Sequence, residues 1–277
     1  MKQSESNVQE ESRGFGHSRK RIVMEVIILL GGLLGLVLGA LWLAKEAAGK
    51  LVRFVPPTVD RKLGEASFPL LAPTNLRCTS QDAKAYVEAL AKPLIAALPV
   101  REFEFTFVVV DRPEINAFAL PGGFVAVHMG LLKAAGSGEE IAAVLAHELH
   151  HVTLRHGTAR ILRQAGGSVV LGLVLGWAEL DTLVSYSAEL TSLAYDRDQE
   201  READRHGLEL LVKAGIHPGG MATFFRRLKD KHGDAAGIAS FLATHPGLDE
   251  RASEAAQVAP PTEVKALPAP PPGLACK

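Results

Sequence analysis

A chain of 277 residues holds one domain of ordinary size plus extensions. With 30 basic and 31 acidic residues and a formal charge of −1, it has neither the basic field that nucleic acid needs nor an acidic tail. Aromatic residues make up 6% of the chain, too few for base-stacking surfaces.

Residues 1–21 are polar, rich in Gly, Ser and Glu, and end in Arg19-Lys20-Arg21, the composition of a disordered tail. Residues 22–44 follow, with Glu25 as their only charge. At about 1.5 Å per residue they are long enough to cross a hydrocarbon core of about 30 Å. Gly31, Gly32, Gly35 and Gly39 are tolerated in a membrane helix, and a cleaved signal peptide has a shorter apolar region, so a retained single-pass anchor is expected. Arg13, Arg19, Lys20 and Arg21 precede the span; Lys45, Lys50 and Arg53 follow it. The compact basic cluster before the span points to a cytoplasmic N-terminus and a domain on the non-cytoplasmic, periplasmic side.

Residues 45–78 are irregular, with prolines at 56, 57, 69 and 73, and read as a linker or lead-in. A domain over 79–258 follows. Residues 82–98 read as a helix that Pro93 should bend. Phe103 to Val110 alternates and then turns wholly apolar, as a strand entering a core does. Asn116 to Leu120 and Phe124 to His128 are strand candidates flanking Pro121-Gly122-Gly123. An edge strand of such a small sheet could hold an extended peptide by main-chain hydrogen bonds, or the hairpin could only pack the core. Residues 166–180 are strongly apolar but short, which favours a buried or membrane-surface helix over a second crossing. Helices are expected over 196–214, 218–231 and from 248 to about 258. The prolines of 259–277 make an extended tail. Cys78 and Cys276 form no metal-knuckle spacing; they read most simply as separate thiols, with pairing open in an oxidising compartment.

The chemistry centres on residues 141–157. Ile141, Val144, Leu145, Leu149 and Val152 recur at helical steps, with no Gly or Pro before Gly157. Within that helix stands His147-Glu148-Leu149-His150-His151. His147 and His151 lie one turn apart on one face, so both imidazoles can reach one ion, and Glu148 can lean toward a water on it. His150 falls off this face. Two imidazoles, a third ligand and an open position make a hydrolytic zinc site with the Glu as base.

The third ligand is expected on the helix that begins near Asp196. Glu200 and Asp204 share its face with Gly207, Leu208 and Leu211. Glu200 would bind the metal, while Asp204 would hydrogen-bond the far nitrogen of a ligand His. Ala203 and Gly207 would let this helix approach another closely, and Glu202 points toward Arg205 or Arg201 in a solvated face. Alone, such a charge run reads as a solvated surface helix; beside the His-Glu-x-x-His helix, the ligand reading prevails.

These elements occur in the order Asn116-Ala117-Phe118-Ala119-Leu120-Pro121-Gly122-Gly123, His147-Glu148-x-x-His151, Glu200-x-x-x-Asp204, then His245-Pro246 with Arg251. In this the chain resembles the membrane-associated zinc endopeptidases: the heat-shock protease HtpX, the periplasmic BepA-type proteases, the mitochondrial Oma-type protease and the CAAX prenyl protease. The resemblance implies an α+β, mostly helical, zincin-like (gluzincin-like) domain, with a small sheet upstream of the metal helix and one transmembrane helix before it. It implies one Zn²⁺ on His147, His151 and Glu200, with Glu148 as general base and Asp204 as the accompanying acid. It matches His245 to a loop His that plugs the zinc or stays near it, and Arg251 to a loop anchor or oxyanion donor. The substrate strand would be Asn116–Gly123, and the partners would be extended or unfolded proteins and the bilayer, not nucleic acid. Tyr195-Asp196-Arg197 departs from the more usual Ser-Arg lead into the ligand helix. Rival readings are an iron oxygenase, since two His and one carboxylate also make that triad, and an anchored chaperone with a structural or plugged zinc. The sequence leaves the oligomeric state open.

Overall fold

The computed structural model describes residues 19–99, 102–165, 195–230, 239, 241, 243–245 and 248–276. The apolar stretch 166–180 and most of the N-terminal tail lie outside these. Two compact units divide the chain, residues 1–47 and 48–277. Most of helix α1 (Arg19–Lys50) belongs to the first. Its apolar side chains stand in the open, Leu29 at 71% and Leu36 at 70% exposure, unlike a core helix of a soluble domain. Between Arg21 and Gly39 it is long and apolar enough to cross a membrane.

In the second unit, the stretch expected to be a linker contains helix α2 (Pro57–Leu71). The prolines explain the discrepancy. Pro56 is its N-cap, Pro57 is in the first turn where no amide partner is needed, and Pro69 falls in the last turn. Val59, Leu63 and Phe68 are buried, and Gly64 lies so close to Pro121 that a Cβ would stand 2.1 Å from the Pro121 carbonyl oxygen. Gly122 (φ +78°) and Gly123 (φ +97°) make the turn that reaches back to this helix, a backbone conformation open to glycine.

Helix α3 (Gln81–Ala97), capped by Ser80, continues through Pro93. Three strands follow: β1 (Thr106–Val110), β2 (Ala117–Leu120) and β3 (Phe124–His128). Their order is β1-β3-β2, with β1 parallel and β2 antiparallel to β3. Central β3 is buried along its whole length, so β2 is left as an edge strand among the described residues. After the short α4 (Met129–Ala134) comes the long helix α5 (Gly138–Thr153), capped by Ser137. Ile141, Ala142, Val144, Leu145, Leu149 and Val152 are all buried, so α5 runs through the core.

Periodicity carries α5 to Gly157, but the helix stops earlier. Arg155 takes a left-handed conformation (φ 57°), and α6 (His156–Ala165) starts anew. The strain is held by contacts. Arg155 pairs with the buried Asp60, which also accepts from Thr158, and its Nη1 donates to the Val52 carbonyl at 2.7 Å. Helices α7 (Arg197–Lys213), α8 (Gly219–Asp230) and α9 (Leu248–Ala255) complete the unit.

The C-terminal residues form no helix or strand, yet they strap the domain. The Lys265 amide donates to the Gly215 carbonyl at 2.7 Å, Leu267 N to Glu139 Oε1 at 3.2 Å, and Tyr86 Oη to the Pro268 carbonyl at 3.0 Å. Leu267, Leu274 and Cys276 pack on the core. Cys276 and Cys78 are joined in a disulfide, against the expectation of separate thiols, because the strap returns past α3 to lay its end beside residue 78. A crosslink between residues 198 apart removes a large loop-closure entropy from the unfolded chain. Cys276→Ser, or reductant, is expected to lower stability by about 2–5 kcal/mol, read as a fall in melting temperature relative to the oxidised wild type.

Candidate metal centre

Helix α7 starts with a reciprocal cap: the Asp196 side chain accepts from the Gln199 amide while Gln199 Oε1 accepts from the Asp196 amide. It then crosses α5 at its small residues. Ala203 is fully buried, and a Cβ on Gly207 would lie 3.3 Å from the His147 amide nitrogen. That approach delivers the acids of α7 to the imidazoles of α5.

His147, His151, Glu200 and His245 form one buried cluster, with a ligand atom from each within 4.8 Å of the others. His147 Nε2 and His151 Nε2 are 2.9 Å apart, and Glu200 lies 3.3 Å from His151 Nε2 and 3.7 Å from His147 Nε2. His245 Nδ1 is 3.1 Å from Glu200 Oε1 and 3.3 Å from His147 Nε2. Glu148 is fully buried beside them, with Oε1 3.4 Å from His245 Nε2. Neither carboxylate oxygen of Glu148, nor His245 Nε2, has a hydrogen-bond partner among the described residues.

A second layer holds each imidazole. His147 Nδ1 donates to Asp204 Oδ1 at 2.8 Å. Asp204 accepts in turn from Arg251 Nη2 at 2.9 Å, and Arg251 Nη1 is paired with Glu200 at 2.5 Å. Both acids thus engage the guanidinium, whose face lies on Phe225. His151 Nδ1 is 2.9 Å from His156 Nδ1, and His156 Nε2 is 3.3 Å from Glu202 Oε2. Glu202 thus reaches His156 while its side chain stays 45% exposed, and this pair is a contact that sequence reasoning missed. The left-handed Arg155 resets the helical phase, so His156 cannot be placed by extending the pattern of α5. Tyr195 was also missed as a contact; its ring stacks on His151 at 3.8 Å between centroids.

Burial and charge set the protonation states. Burial lowers His151 well below its usual value, with His147 adding to this, so it is a neutral imidazole able to ligate. Burial pushes Glu200 up, but His245, His147 and His151 together outweigh it and hold the carboxylate far below its usual range. Asp204 is likewise lowered, burial being outweighed by His147 and Arg251. Burial raises Glu148, which His245 and His147 offset only in part. A neutral imidazole at His151 and an ionised carboxylate at Glu200, with ring nitrogens of His147 and His245 beside them, are a donor set that fits a borderline dication.

Beside the cluster lies a cavity of about 360 Å³ lined by Asn116, Phe118, Ala119 and Leu120, and by Arg160, Tyr195 and His245. The expected substrate strand thus divides: its first part borders the cavity, whereas Pro121 and Gly122 turn away against α2 and Gly123 against residues 104–105. The glycine conformations that the turn needs remove these residues from the edge.

A His-Glu-x-x-His core helix, a carboxylate from a second helix and an edge strand alongside define a zincin-like metallopeptidase fold. Residues 81–259 match the model of peptidase family M48, and the chain belongs to that family. It is 30% identical over 183 residues to the beta-barrel assembly-enhancing protease of Escherichia coli K12, covering 61% of this chain and 37% of that protein. It is 31% identical over 211 residues to the mitochondrial metalloendopeptidase OMA1 of Schizosaccharomyces pombe, covering 75% of this chain and 59% of that protein. The chain spans less than two thirds of either relative's length.

Two outcomes are expected. Gly207→Val places atoms against the His147 backbone, so it should separate the helices and weaken divalent-metal binding at least about tenfold, measured by competition with a chelating dye. Burial lowers His150 from 6.5 to about 4. The unfolded chain takes up that proton first, so stability falls as pH drops through this window, by up to about 3 kcal/mol. His150→Gln is expected to flatten this acid limb in thermal melts.

Proposed function

We propose that the chain is a zinc-dependent endopeptidase anchored in a membrane by its N-terminal helix, acting on misfolded or unassembled envelope proteins. One observation carries this: four buried ligand atoms converge within 4.8 Å beside the fully buried Glu148 carboxylate, which faces His245 Nε2 at 3.4 Å. His147, His151 and Glu200 would hold the ion. A bound Zn²⁺ supplies a Lewis acid that acidifies water and polarises a carbonyl. Glu148, whose pKa burial raises, takes the proton of the attacking water and returns it to the leaving amine. Asp204 fixes the tautomer of His147, and Arg251 anchors its loop by holding both acids rather than an oxyanion. A peptide adds to the free edge of β2 by main-chain hydrogen bonds, which reads little sequence and suits unfolded substrates.

His245 acts as a plug. It occupies the approach to the cluster between Glu200 and Glu148, and a peptide must displace it. Residues 22–44 form the anchor, 79–258 the catalytic core, and the basic residues before the span place that core on the periplasmic side. The relatives' names, an assembly-enhancing protease for beta-barrels and a metalloendopeptidase, support a role in envelope protein quality control. Glu directly after the first His favours hydrolysis over oxygenase chemistry.

Glu148→Gln is expected to bind zinc as the wild type does and to cleave unfolded casein about 10²–10⁴-fold more slowly. Cleavage at the wild-type rate would remove Glu148 as the base. His245→Ala is expected to raise turnover; absent proteolysis in both proteins would favour an anchored chaperone whose zinc is structural, and chelator-insensitive proteolysis would remove the metal from the reaction.

A further inference from the structure

Arg160, on α6, takes no part in the cluster, yet it is only 9% exposed. Its Nε and Nη2 have no hydrogen-bond partner among the described residues. The Tyr195 ring covers one face of the guanidinium at 5.3 Å but leaves its edge donors unused. Burial lowers its pKa, and the neighbouring charge of Arg163, itself paired with Asp196 at 3.3 Å, adds to this. Other arginines of the domain are matched: Arg155 to Asp60, Arg227 to Glu140, and Arg251 to Asp204 and Glu200.

An unpaired guanidinium held out of water is costly, and a carboxylate meeting its planar fork in bidentate fashion is what best offsets that cost. Arg160 borders the same cavity as the edge-strand residues Phe118 and Ala119, and as Tyr195 and His245. A peptide laid along β2 into the cluster therefore passes within reach of its Nε and Nη2.

We infer that Arg160 is a specificity-determining residue that receives a carboxylate of the bound peptide, from an Asp or Glu side chain near the cleaved bond or from the peptide's own C-terminus. This deepens the peptidase reading and rests on it. Where β2 supplies sequence-blind alignment, Arg160 supplies a chemical preference.

The test uses the full chain in detergent with zinc, and matched unfolded peptides carrying Glu, Gln or Lys at successive positions around the cleaved bond, each as free acid and as C-terminal amide. Cleavage gives kcat/KM, and fluorescence anisotropy on the Glu148→Gln chain gives affinity without turnover. The wild type is expected to favour the carboxylate-bearing peptide at least about tenfold over its amide isostere. Arg160→Met should bring the pair within about twofold, and Arg160→Glu should turn the preference toward Lys. A purely structural role for Arg160 could not produce that reversal. Loss of preference on replacing Glu by Gln assigns the side chain; loss on C-terminal amidation assigns the terminus. Equal affinity of the wild type for carboxylate and amide peptides, or a preference that survives Arg160→Met, overturns the inference. Discriminating binding without any cleavage would instead count against the peptidase reading alone.

Discussion

The crossing of α7 over α5 at Gly207 and Ala203 governs this domain. A side chain larger than alanine there would hold the two backbones apart, and Glu200 and Asp204 would no longer reach the imidazoles of His147 and His151. The crossing buries two acids, which is tolerable only because each meets cationic or hydrogen-bonding partners on arrival. Arg251 serves both acids at once, so helix α9, which carries it, is tied to the same point.

The imidazoles are fixed by different means. His147 is held from α7 and α9 through Asp204 and Arg251. His151 is held from the start of α6 through His156, with Tyr195 stacked on its ring. The second arrangement depends on the abrupt turn at Arg155, which is stabilised from a distance by Asp60 of α2 and by the Val52 carbonyl. A helix near the start of the domain thereby braces the end of the metal helix. The C-terminal strap, bonded to Glu139 in the first turn of α5, holds the other end.

The cavity along β2 brings a strand edge together with a polar and aromatic wall. A free strand edge offers amides and carbonyls that accept any extended chain. Arg160 and the stacked Tyr195 add a polar and aromatic wall at the end nearest the cluster. His245 lines this cavity and also belongs to the ligand cluster, so one side chain joins the two.

Local pattern, read alone, determined much of this protein: the apolar N-terminal helix, the three strands, the helix bearing His147, Glu148 and His151, and the helix bearing Glu200 and Asp204. Each is specified by periodicity and capping within a few turns of chain, and small residues at 203 and 207 announced a close helix contact. Tertiary structure decided the rest. Prolines at 56, 57 and 69 look like breakers until α2 is seen to end at them. The separation of Cys78 from Cys276 conceals a pairing that only the returning strap creates. The pairing of Glu202 with His156 depends on a single left-handed residue, whose conformation is held by a carboxylate from a helix far back in the chain. No local pattern encodes such a constraint, because its energy comes from contacts that exist only after the chain has folded.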